Sequence, residues 1–473
     1  MSEQATGTKA GLDALSAARD DLDVSFDAAE RAEKSHDWWM RSLIERRRDD
    51  GGPMATAVAR PRSADAVSAL LAWANDNKVA LVPFGLGSGV CGAVLAGADQ
   101  VVLDLGALTE VRSIDETNLT VTVEPGRRGS ELEEILDEAG FTMGHWPQSV
   151  ALSSVGGWCA TRASGQLSTL YGNIEDMLVG CEVALADGCR IRVPAVPRSA
   201  TGSDLRELFL GSEGTLGVFT ELTFRIHPKP EHSIGHCFTM PTLEAGLESL
   251  RQILRSGWRP AVTRLYDAVE AGRNFSYVGD GDRPVLLLLG EGARPRVETE
   301  MREVAAIVAA AGGEDQGSEP VDSWLEHRNH VPSFDDLLDQ GLVVDTIEVA
   351  IGWDRIGELF ETVTRDGTAL DGVIAMSGHV SHCYTTGANI YFTFVGTQTD
   401  MDGALALYDR VWNLTMERTH ALGGTVAHHH GIGRVRKRWL EAELGDAVDV
   451  LRTVKRALDP NGILNPGVLV DVD

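Results

Sequence analysis

The stretch PFGLGSGVCGAV, residues 83–94, decides which fold this chain can adopt. It follows an apolar run at residues 79–84 that is predicted to be a strand, so its glycines form a loop at the strand's end. Backbone N–H groups of such a loop can bind a diphosphate, although a glycine loop by itself is also typical of a simple tight turn. In a Rossmann unit the loop opens a helix directly. Here more β-rich runs follow, at residues 101–105 and 119–123, which argues against a nicotinamide dinucleotide fold.

The elements predicted around this loop indicate an α+β fold. A helix is predicted over residues 63–77, and Ser130 and Glu133 have the spacing of a capping box at the start of another helix. Farther along, apolar runs alternate with helical patterns, which suits an antiparallel sheet covered by helices. The runs lie at residues 285–289 and 390–394, and the helices at residues 243–255, 297–311 and 353–365. A chain of 473 residues is long enough for more than one domain.

Composition narrows the functions that this chain can have. Acidic residues outnumber basic ones by 70 to 42, which gives a net charge of −28. This charge repels phosphate backbones and acidic headgroups, so we predict no nucleic-acid partner and at most peripheral membrane contact. The six cysteines are scattered without a CxxC pair, which favours reduced thiols and no metal site. Several aspartates in the first thirty residues argue against a secretory signal, so we expect a cytoplasmic protein.

Three segments rich in glycine and small polar residues are predicted to lie against a ligand. Two of them are GHWPQSVALSSVGGWCATRASG at residues 144–165 and YGNIEDMLVGCEVALADG at residues 171–188. Their glycines would let a flat ring system lie on the main chain, while serine and threonine hydroxyls bond its polar edge. The third is FLGSEGTLGVFTELTFRI at residues 209–226, in which we expect Glu213 to be a structural carboxylate that holds the loop.

The run HHHGIGRVRKRWL, residues 428–440, is predicted to belong to a reaction site. Histidine titrates near neutral pH and can move protons. A metal-binding tract and a solvated polar patch are the alternatives. Adjacent residues of one helix or strand cannot all face one metal, so the reaction site is favoured.

Together these segments resemble the FAD-binding flavoproteins of the vanillyl-alcohol oxidase group, whose fold is called PCMH-type. Within that group the chain is most similar to the alkyldihydroxyacetonephosphate synthase family, from about residue 60 to residue 466. The resemblance implies an FAD-binding domain of two α/β subdomains, an antiparallel-sheet cap domain that binds substrate, and a C-terminal segment that returns to the FAD site. These parts are placed, after a helical lead-in without chemistry at residues 1–50, at residues 51–230, 231–422 and 423–473. The resemblance also implies FAD held non-covalently, because the glycine loop has no histidine to form the bond, and it suggests a homodimer.

The resemblance carries the family's functional residues onto this sequence. Cofactor contacts are implied for Pro83, Gly85, Leu86, Gly87, Ser88, Gly89, Gly157, Thr161, Ser164, Gly165, Gly172, Asn173, Asp176, Glu213, Thr215 and Val218. Catalytic roles are implied for Tyr391, His428, His429, His430 and Arg264. Substrate contacts are expected from His382, Arg434 and Arg436.

The chemistry implied by the resemblance is redox-neutral and uses a lipid-like substrate. The acyl group of an acyl-dihydroxyacetone phosphate would be exchanged for a fatty alcohol through an adduct at flavin N5. Tyr391, helped by a histidine, would remove the substrate proton. The candidates to bind the phosphate are Arg434, Arg436, Lys437 and Arg438, and the alternative is that some of them only solvate a helix face. His379, however, stands where the synthase family has an arginine.

The main alternative is an oxidase or dehydrogenase on the same scaffold. It would take hydride from a small alcohol or 2-hydroxy acid, with His382 or a histidine of the 428–430 run as the base. A flavin-binding protein without turnover is disfavoured, because buried histidine clusters are costly unless they are used or well paired.

Overall fold

The computed structural model describes residues 3–49, 51–330 and 334–472. In these ranges the helices are, in chain order, α1 (Glu3–Ala17), α2 (Ala28–Glu33), α3 (Met40–Arg48), α4 (Ala64–Asn77), α5 (Gly129–Glu138), α6 (Val155–Thr161), α7 (Ser168–Tyr171), α8 (Ile174–Met177), α9 (Leu205–Phe209), α10 (Leu243–Arg255), α11 (Ala268–Asn274), α12 (Arg294–Ala310), α13 (Glu319–His327), α14 (Phe334–Asp339), α15 (Ile356–Thr368), α16 (Met401–Ala421), α17 (Lys437–Leu444) and α18 (Ala447–Leu458). The strands are β1 (Leu22–Ser25), β2 (Ala57–Pro61), β3 (Ala80–Phe84), β4 (Gln100–Asp104), β5 (Val111–Asp115), β6 (Thr120–Val123), β7 (Phe141–Thr142), β8 (Leu178–Ala184), β9 (Arg190–Val193), β10 (Val218–Arg225), β11 (His227–Pro228), β12 (His232–Thr239), β13 (Val262–Tyr266), β14 (Val285–Gly292), β15 (Glu314–Asp315), β16 (Leu342–Gly352), β17 (Val373–Val380) and β18 (Gly387–Thr397).

The first sheet presents the glycine loop at the end of β3. Its strand order is β1-β2-β4-β3, and β4 pairs in parallel with both β2 and β3. The predicted helix that precedes β3 is present as α4, which begins after the side-chain cap Ser63. The C-terminal tail joins this sheet, because the Leu81 N–H donates to the Ile463 carbonyl at 2.7 Å and the Asn465 N–H donates to the Leu81 carbonyl at 2.8 Å. The predicted return of the C-terminal segment is confirmed.

The second sheet is antiparallel, with the order β5-β6-β10-β8-β9. Helix α5 follows β6, but its N-cap residue is Arg128 and no side-chain cap is formed there. The carboxylate of Glu133 instead accepts hydrogen bonds from the Thr142 hydroxyl at 2.8 Å and the Met143 N–H at 3.1 Å. The predicted capping box of Ser130 and Glu133 is therefore wrong, because Glu133 is buried by the chain that follows the helix.

The third sheet has seven strands in the order β15-β12-β14-β13-β17-β18-β16, and all its pairings are antiparallel. Along β18, Ile390, Phe392 and Phe394 pack into the core that includes residues of α10, α12, α15 and α16. The alternate residues Tyr391 and Thr393 line a cavity on the other face. The α+β class and the helix-covered antiparallel sheet predicted from the sequence are confirmed. Helix α10 has the predicted bounds, α12 begins three residues early and α15 begins three residues late.

The N-terminal lead-in is more than a helical segment. Its strand β1 pairs antiparallel with β2 and extends the first sheet. Residues 1, 2 and 50 of the predicted lead-in lie outside the described residues. Within the described ranges, no helix combines the length and the apolar character that a bilayer span requires.

Candidate active site

A cavity of about 900 Å³ lies where loops of the four-stranded and five-stranded sheets meet the seven-stranded sheet. Its wall includes the glycine loop, helix α6 and the loop that carries Glu213. The seven-stranded sheet contributes Arg264, His379 and Tyr391, and the C-terminal segment contributes His429 and His430. The cavity therefore joins segments that are far apart in the chain.

Strand register sets four polar side chains in a row across the sheet. Glu348 on β16 pairs with Tyr391 on β18, which pairs with His379 on β17, which pairs with Tyr266 on β13. Directly opposite residues of neighbouring strands lie close enough for their side chains to touch. The rings of Tyr391 and His379 stack with centroids 5.0 Å apart, and those of His379 and Tyr266 lie 5.1 Å apart. Three of these side chains, those of Tyr391, His379 and Tyr266, line the cavity.

Glu348 holds the histidine run in place. Its side chain is 0% exposed, and its carboxylate accepts hydrogen bonds from the backbone N–H groups of His428 at 2.5 Å, His430 at 3.1 Å and His429 at 3.3 Å. The guanidinium of Arg436, also 0% exposed, donates to the same carboxylate at 2.9 Å. Burial raises the pKa of Glu348, and the positive charge of Arg436 opposes that shift. A single buried ion pair thereby fixes three consecutive peptide groups.

The three imidazoles are linked to two phenols. The Tyr391 hydroxyl lies 2.5 Å from Nε2 of His429 and 3.2 Å from Nε2 of His430. Nδ1 of His429 lies 2.7 Å from Nδ1 of His428, and Nε2 of His428 lies 2.7 Å from the Tyr384 hydroxyl. Burial lowers the pKa of His428 to about 4 and that of His430 to about 3, and it lowers the pKa of His429 well below the usual value. At neutral pH the imidazoles are therefore uncharged, and each has one unprotonated ring nitrogen that can accept a hydrogen bond.

This cluster also has the spacing of a metal site. Glu348, His428 and His429 each offer a ligand atom, and the three atoms lie within 4.8 Å of one another. The Glu348 carboxylate, however, is already bonded to three N–H groups and a guanidinium. We therefore assign these residues to holding and linking the imidazoles.

Two guanidinium groups give the cavity a positive wall. Arg264 donates to the Tyr266 hydroxyl at 2.9 Å and to Nε2 of His379 at 2.6 Å. Arg328 donates to the Gln166 side-chain carbonyl at 3.1 Å, and burial lowers its pKa to about 10. Among the described residues, neither guanidinium has a hydrogen bond to a carboxylate. Both remain available to a substrate anion.

The glycine loop fits the diphosphate of FAD. Within the ranges that the structure describes, the backbone N–H groups of Leu86, Gly87 and Ser88 donate no hydrogen bond, and the three residues line the cavity. Gly87 has φ +70°, and a Cβ added there would lie 2.5 Å from the Phe84 ring. Free N–H groups in such a loop form an anion-binding concavity. The loop can hold the cofactor that the resemblance implies.

Replacing Gly87 by Ala is expected to weaken FAD binding by about tenfold or more. An alanine in the left-handed region costs about 1–2 kcal/mol, and the contact with Phe84 would force the loop to move. Titration of the apoprotein with FAD, followed by quenching of flavin fluorescence, measures the change. Gly97→Ala is the control, because Gly97 has an ordinary φ and a Cβ there would have its nearest neighbour at 3.8 Å. Equal FAD affinity of Gly87→Ala and wild type would contradict this use of the loop.

The structure separates the predicted site residues into two layers. The residues that line the cavity are Pro83, Gly85, Leu86, Gly87, Ser88, Gly89, Gly157, Thr161, Ser164, Glu213, Val218, Arg264, His382, Tyr391, His429 and His430. Those behind its wall are Gly165, Gly172, Asn173, Asp176, Thr215 and His428. Asn173, for example, donates from Nδ2 to the Tyr384 hydroxyl at 2.9 Å, and its backbone N–H donates to the Asp176 carboxylate. The assignment of individual residues to FAD stays a prediction.

The expectation that Arg434 and Arg436 bind substrate is corrected. Arg436 is fully buried against Glu348 and over the Trp412 ring, at 5.1 Å from its centroid. Arg434 donates to the carbonyls of Leu95, at 3.1 Å, and Pro466, at 3.4 Å. Neither arginine lines the cavity. Both stabilise the C-terminal segment.

Several residues of the site were not found from the sequence. Asp37 and Trp38 line the cavity, although the lead-in was expected to have no chemistry. Glu348, Tyr384 and Arg328 were also missed. The only sequence signal for Glu348 is an acidic residue inside the otherwise apolar run IEVAI.

Two known protein families match this chain. The family described as FAD binding domain matches residues 55–193, and the family described as FAD linked oxidases, C-terminal domain, matches residues 229–469. The fold is that of a FAD-dependent enzyme with the PCMH-type architecture.

Individual relatives point to the same family. An uncharacterized FAD-linked oxidoreductase, YgcU, of Escherichia coli K12 is 35% identical, with 89% of this chain and 90% of the relative covered. The alkyldihydroxyacetonephosphate synthase of Caenorhabditis elegans is 27% identical, with 95% of this chain and 82% of the relative covered. A solved alkyldihydroxyacetonephosphate synthase structure superimposes with a TM-score of 0.80 at 26% identity, covering 94% of this chain and 83% of that one. The chain belongs to the FAD-linked oxidase family, and FAD is its cofactor.

Proposed function

We propose that the protein oxidises a hydroxyl-bearing small molecule, an alcohol or 2-hydroxy acid, with FAD as hydride acceptor. The observation that carries this proposal is the short contact between the Tyr391 hydroxyl and Nε2 of His429, 2.5 Å, on the cavity wall beside Arg264. Bound FAD supplies the two-electron acceptor. The protein has to supply a proton acceptor and a way to hold the substrate.

Tyr391 and His429 together form the proton acceptor. Burial raises the pKa of Tyr391, so the phenol keeps its proton at neutral pH. It can pass that proton to the neutral His429 imidazole while it takes the substrate's hydroxyl proton. A positioned pair of this kind accelerates proton removal by roughly 10²- to 10⁴-fold. The Arg264 guanidinium, fixed by Tyr266 and His379, is placed to hold the substrate oxygen atoms.

Exchange of an acyl for an alkyl group is the second candidate. It is favoured by the match to alkyldihydroxyacetonephosphate synthases and by the same Tyr391 and histidine cluster. Against it, Arg434 and Arg436, which were expected to bind the phosphate, do not line the cavity. We therefore propose oxidation as the first candidate and the exchange as the second.

Anaerobic mixing separates the two functions. We expect lasting bleaching of the flavin absorbance when the enzyme meets a reactive member of a panel of alcohols and 2-hydroxy acids. In a parallel sample, acyl-dihydroxyacetone phosphate and a fatty alcohol are supplied, and release of the fatty acid is measured. If fatty acid is released with an oxidised flavin and no alcohol or hydroxy acid bleaches it, oxidation is the wrong function.

A further inference from the structure

We infer that Tyr384 is a relay residue that passes on the proton taken up at Tyr391, by way of His429 and His428. The inference rests on the proposed function, since it concerns the fate of the substrate's hydroxyl proton. Tyr384 lies outside the cavity wall, where its hydroxyl also accepts a hydrogen bond from Asn173, the N-cap residue of α8. Its connection to the cavity is a continuous row of hydrogen bonds.

The row has three contacts, each of hydrogen-bond length. They are 2.5 Å from the Tyr391 hydroxyl to Nε2 of His429, 2.7 Å between the two Nδ1 atoms of His429 and His428, and 2.7 Å from Nε2 of His428 to the Tyr384 hydroxyl. Two Nδ1 atoms at this distance form a hydrogen bond only when one donates and the other accepts. The contact therefore couples the protonation of two rings that would otherwise be independent.

Two sets of tautomers satisfy every contact, one the reverse of the other, and a proton that passes along the row converts the first into the second. In the first set the contacts are as follows. The Tyr391 hydroxyl donates to Nε2 of His429, Nδ1–H of His429 donates to Nδ1 of His428, and Nε2–H of His428 donates to the Tyr384 oxygen. A proton that arrives at Tyr391 then displaces one proton at each contact, and the hydroxyl proton of Tyr384 leaves at the far end. One proton enters and one leaves, so no group in the row keeps a charge.

Two features suit His428 and His429 to conducting a proton. His429 is buried and His428 is half-buried, and burial lowers the pKa of His428 to about 4. A proton therefore does not remain on the ring. The peptide N–H groups of His428 and His429 donate to the Glu348 carboxylate. These bonds fix the backbone that carries both rings.

A buried carboxylate oxygen that has no hydrogen-bond partner in the described part of the chain lies near the far end of the row. Glu175, half-buried on α8, has an Oε2 atom that is buried without a hydrogen-bond partner among the described residues. Burial raises the pKa of Tyr384, and the charge of the nearby Glu175 carboxylate adds to that shift. The next two residues after Tyr384, Thr385 and Thr386, are exposed. The row thus runs from the cavity toward a carboxylate near the surface.

Tyr384→Phe tests the relay, because it removes one hydroxyl and keeps the ring. We expect the rate of flavin reduction by substrate to fall about tenfold or more, with substrate affinity and the flavin spectrum unchanged. In mixtures of H₂O and D₂O the wild-type rate should follow a curved proton inventory, and the variant should lose the curvature. His428→Gln breaks the row at another point and should give the same two changes if Tyr384→Phe folds poorly.

Tyr171→Phe is the matched control, since its hydroxyl is bonded to Glu291 away from the row. It should keep the wild-type rate and isotope dependence. A wild-type enzyme that no alcohol or hydroxy acid reduces would overturn the proposed function itself. A reducible wild type, with normal rates and a curved inventory in both Tyr384→Phe and His428→Gln, would overturn the relay alone.

Discussion

Replacing Tyr391 by Phe is expected to slow flavin reduction by substrate by about 10²- to 10⁴-fold, the range typical for the loss of a positioned acid–base group. The phenylalanine ring can keep the stacking on His379, at 5.0 Å between centroids in the wild type. Only the hydroxyl that bonds His429 and His430 is lost. The substrate's hydroxyl proton then has no acceptor in direct contact with the histidine cluster.

Stopped-flow reduction under anaerobic conditions measures this loss. FAD content, from the absorbance ratio of flavin to protein, should match the wild type, because Tyr391 belongs to the seven-stranded sheet and not to the glycine loop. If the enzyme instead exchanges acyl for alkyl groups, the same variant should abolish the exchange. Full activity of Tyr391→Phe in both assays would remove the hydroxyl from the mechanism.

The sequence predicts a helix or a strand of this fold well where the residues within that element determine it. Helix α10 has the predicted bounds because its apolar residues recur with a helical period, as at Leu247, Leu250 and Leu254. The strand that ends in the glycine loop is also present, at Ala80–Phe84. At Glu133 the same reasoning fails, because contacts with Thr142 and Met143 replace the local cap.

The site is predicted less completely, since it depends on pairing between distant strands. The histidine run was identified from its residue types and Tyr391 through the resemblance to a known family, and the structure brings them into contact. No periodicity in the sequence places Glu348 opposite Tyr391, because that register is set by residues far apart in the chain.

The burial of individual arginines in the basic run at residues 434–438 is also not predicted from the sequence. Arg436 is fully buried and Arg438 is exposed, yet the two differ little in sequence context.

Replacing Arg436 by Met is expected to lower the free energy of unfolding by about 3–5 kcal/mol, the usual cost of leaving a buried charge without its partner. Methionine can fill much of the space over Trp412, but the Glu348 carboxylate would lose its only cationic hydrogen-bond donor among the described residues. The urea midpoint, followed by circular dichroism, should fall accordingly. Arg438→Met is the matched control, because Arg438 is exposed and its loss should leave the midpoint nearly unchanged.

The double variant Arg436→Met/Glu348→Gln separates the unpaired charge from lost packing. The glutamine that replaces Glu348 in this variant has no charge to bury. Its amide oxygen can still accept from the N–H groups of His428 and His429, which donate to the same carboxylate oxygen, Oε2, in the wild type. We therefore expect it to regain a large part of the stability that Arg436→Met loses. If the double variant is no more stable than Arg436→Met, the loss arises from packing around Trp412. In that case Glu348 does not depend on Arg436 to hold the histidines beneath the cavity.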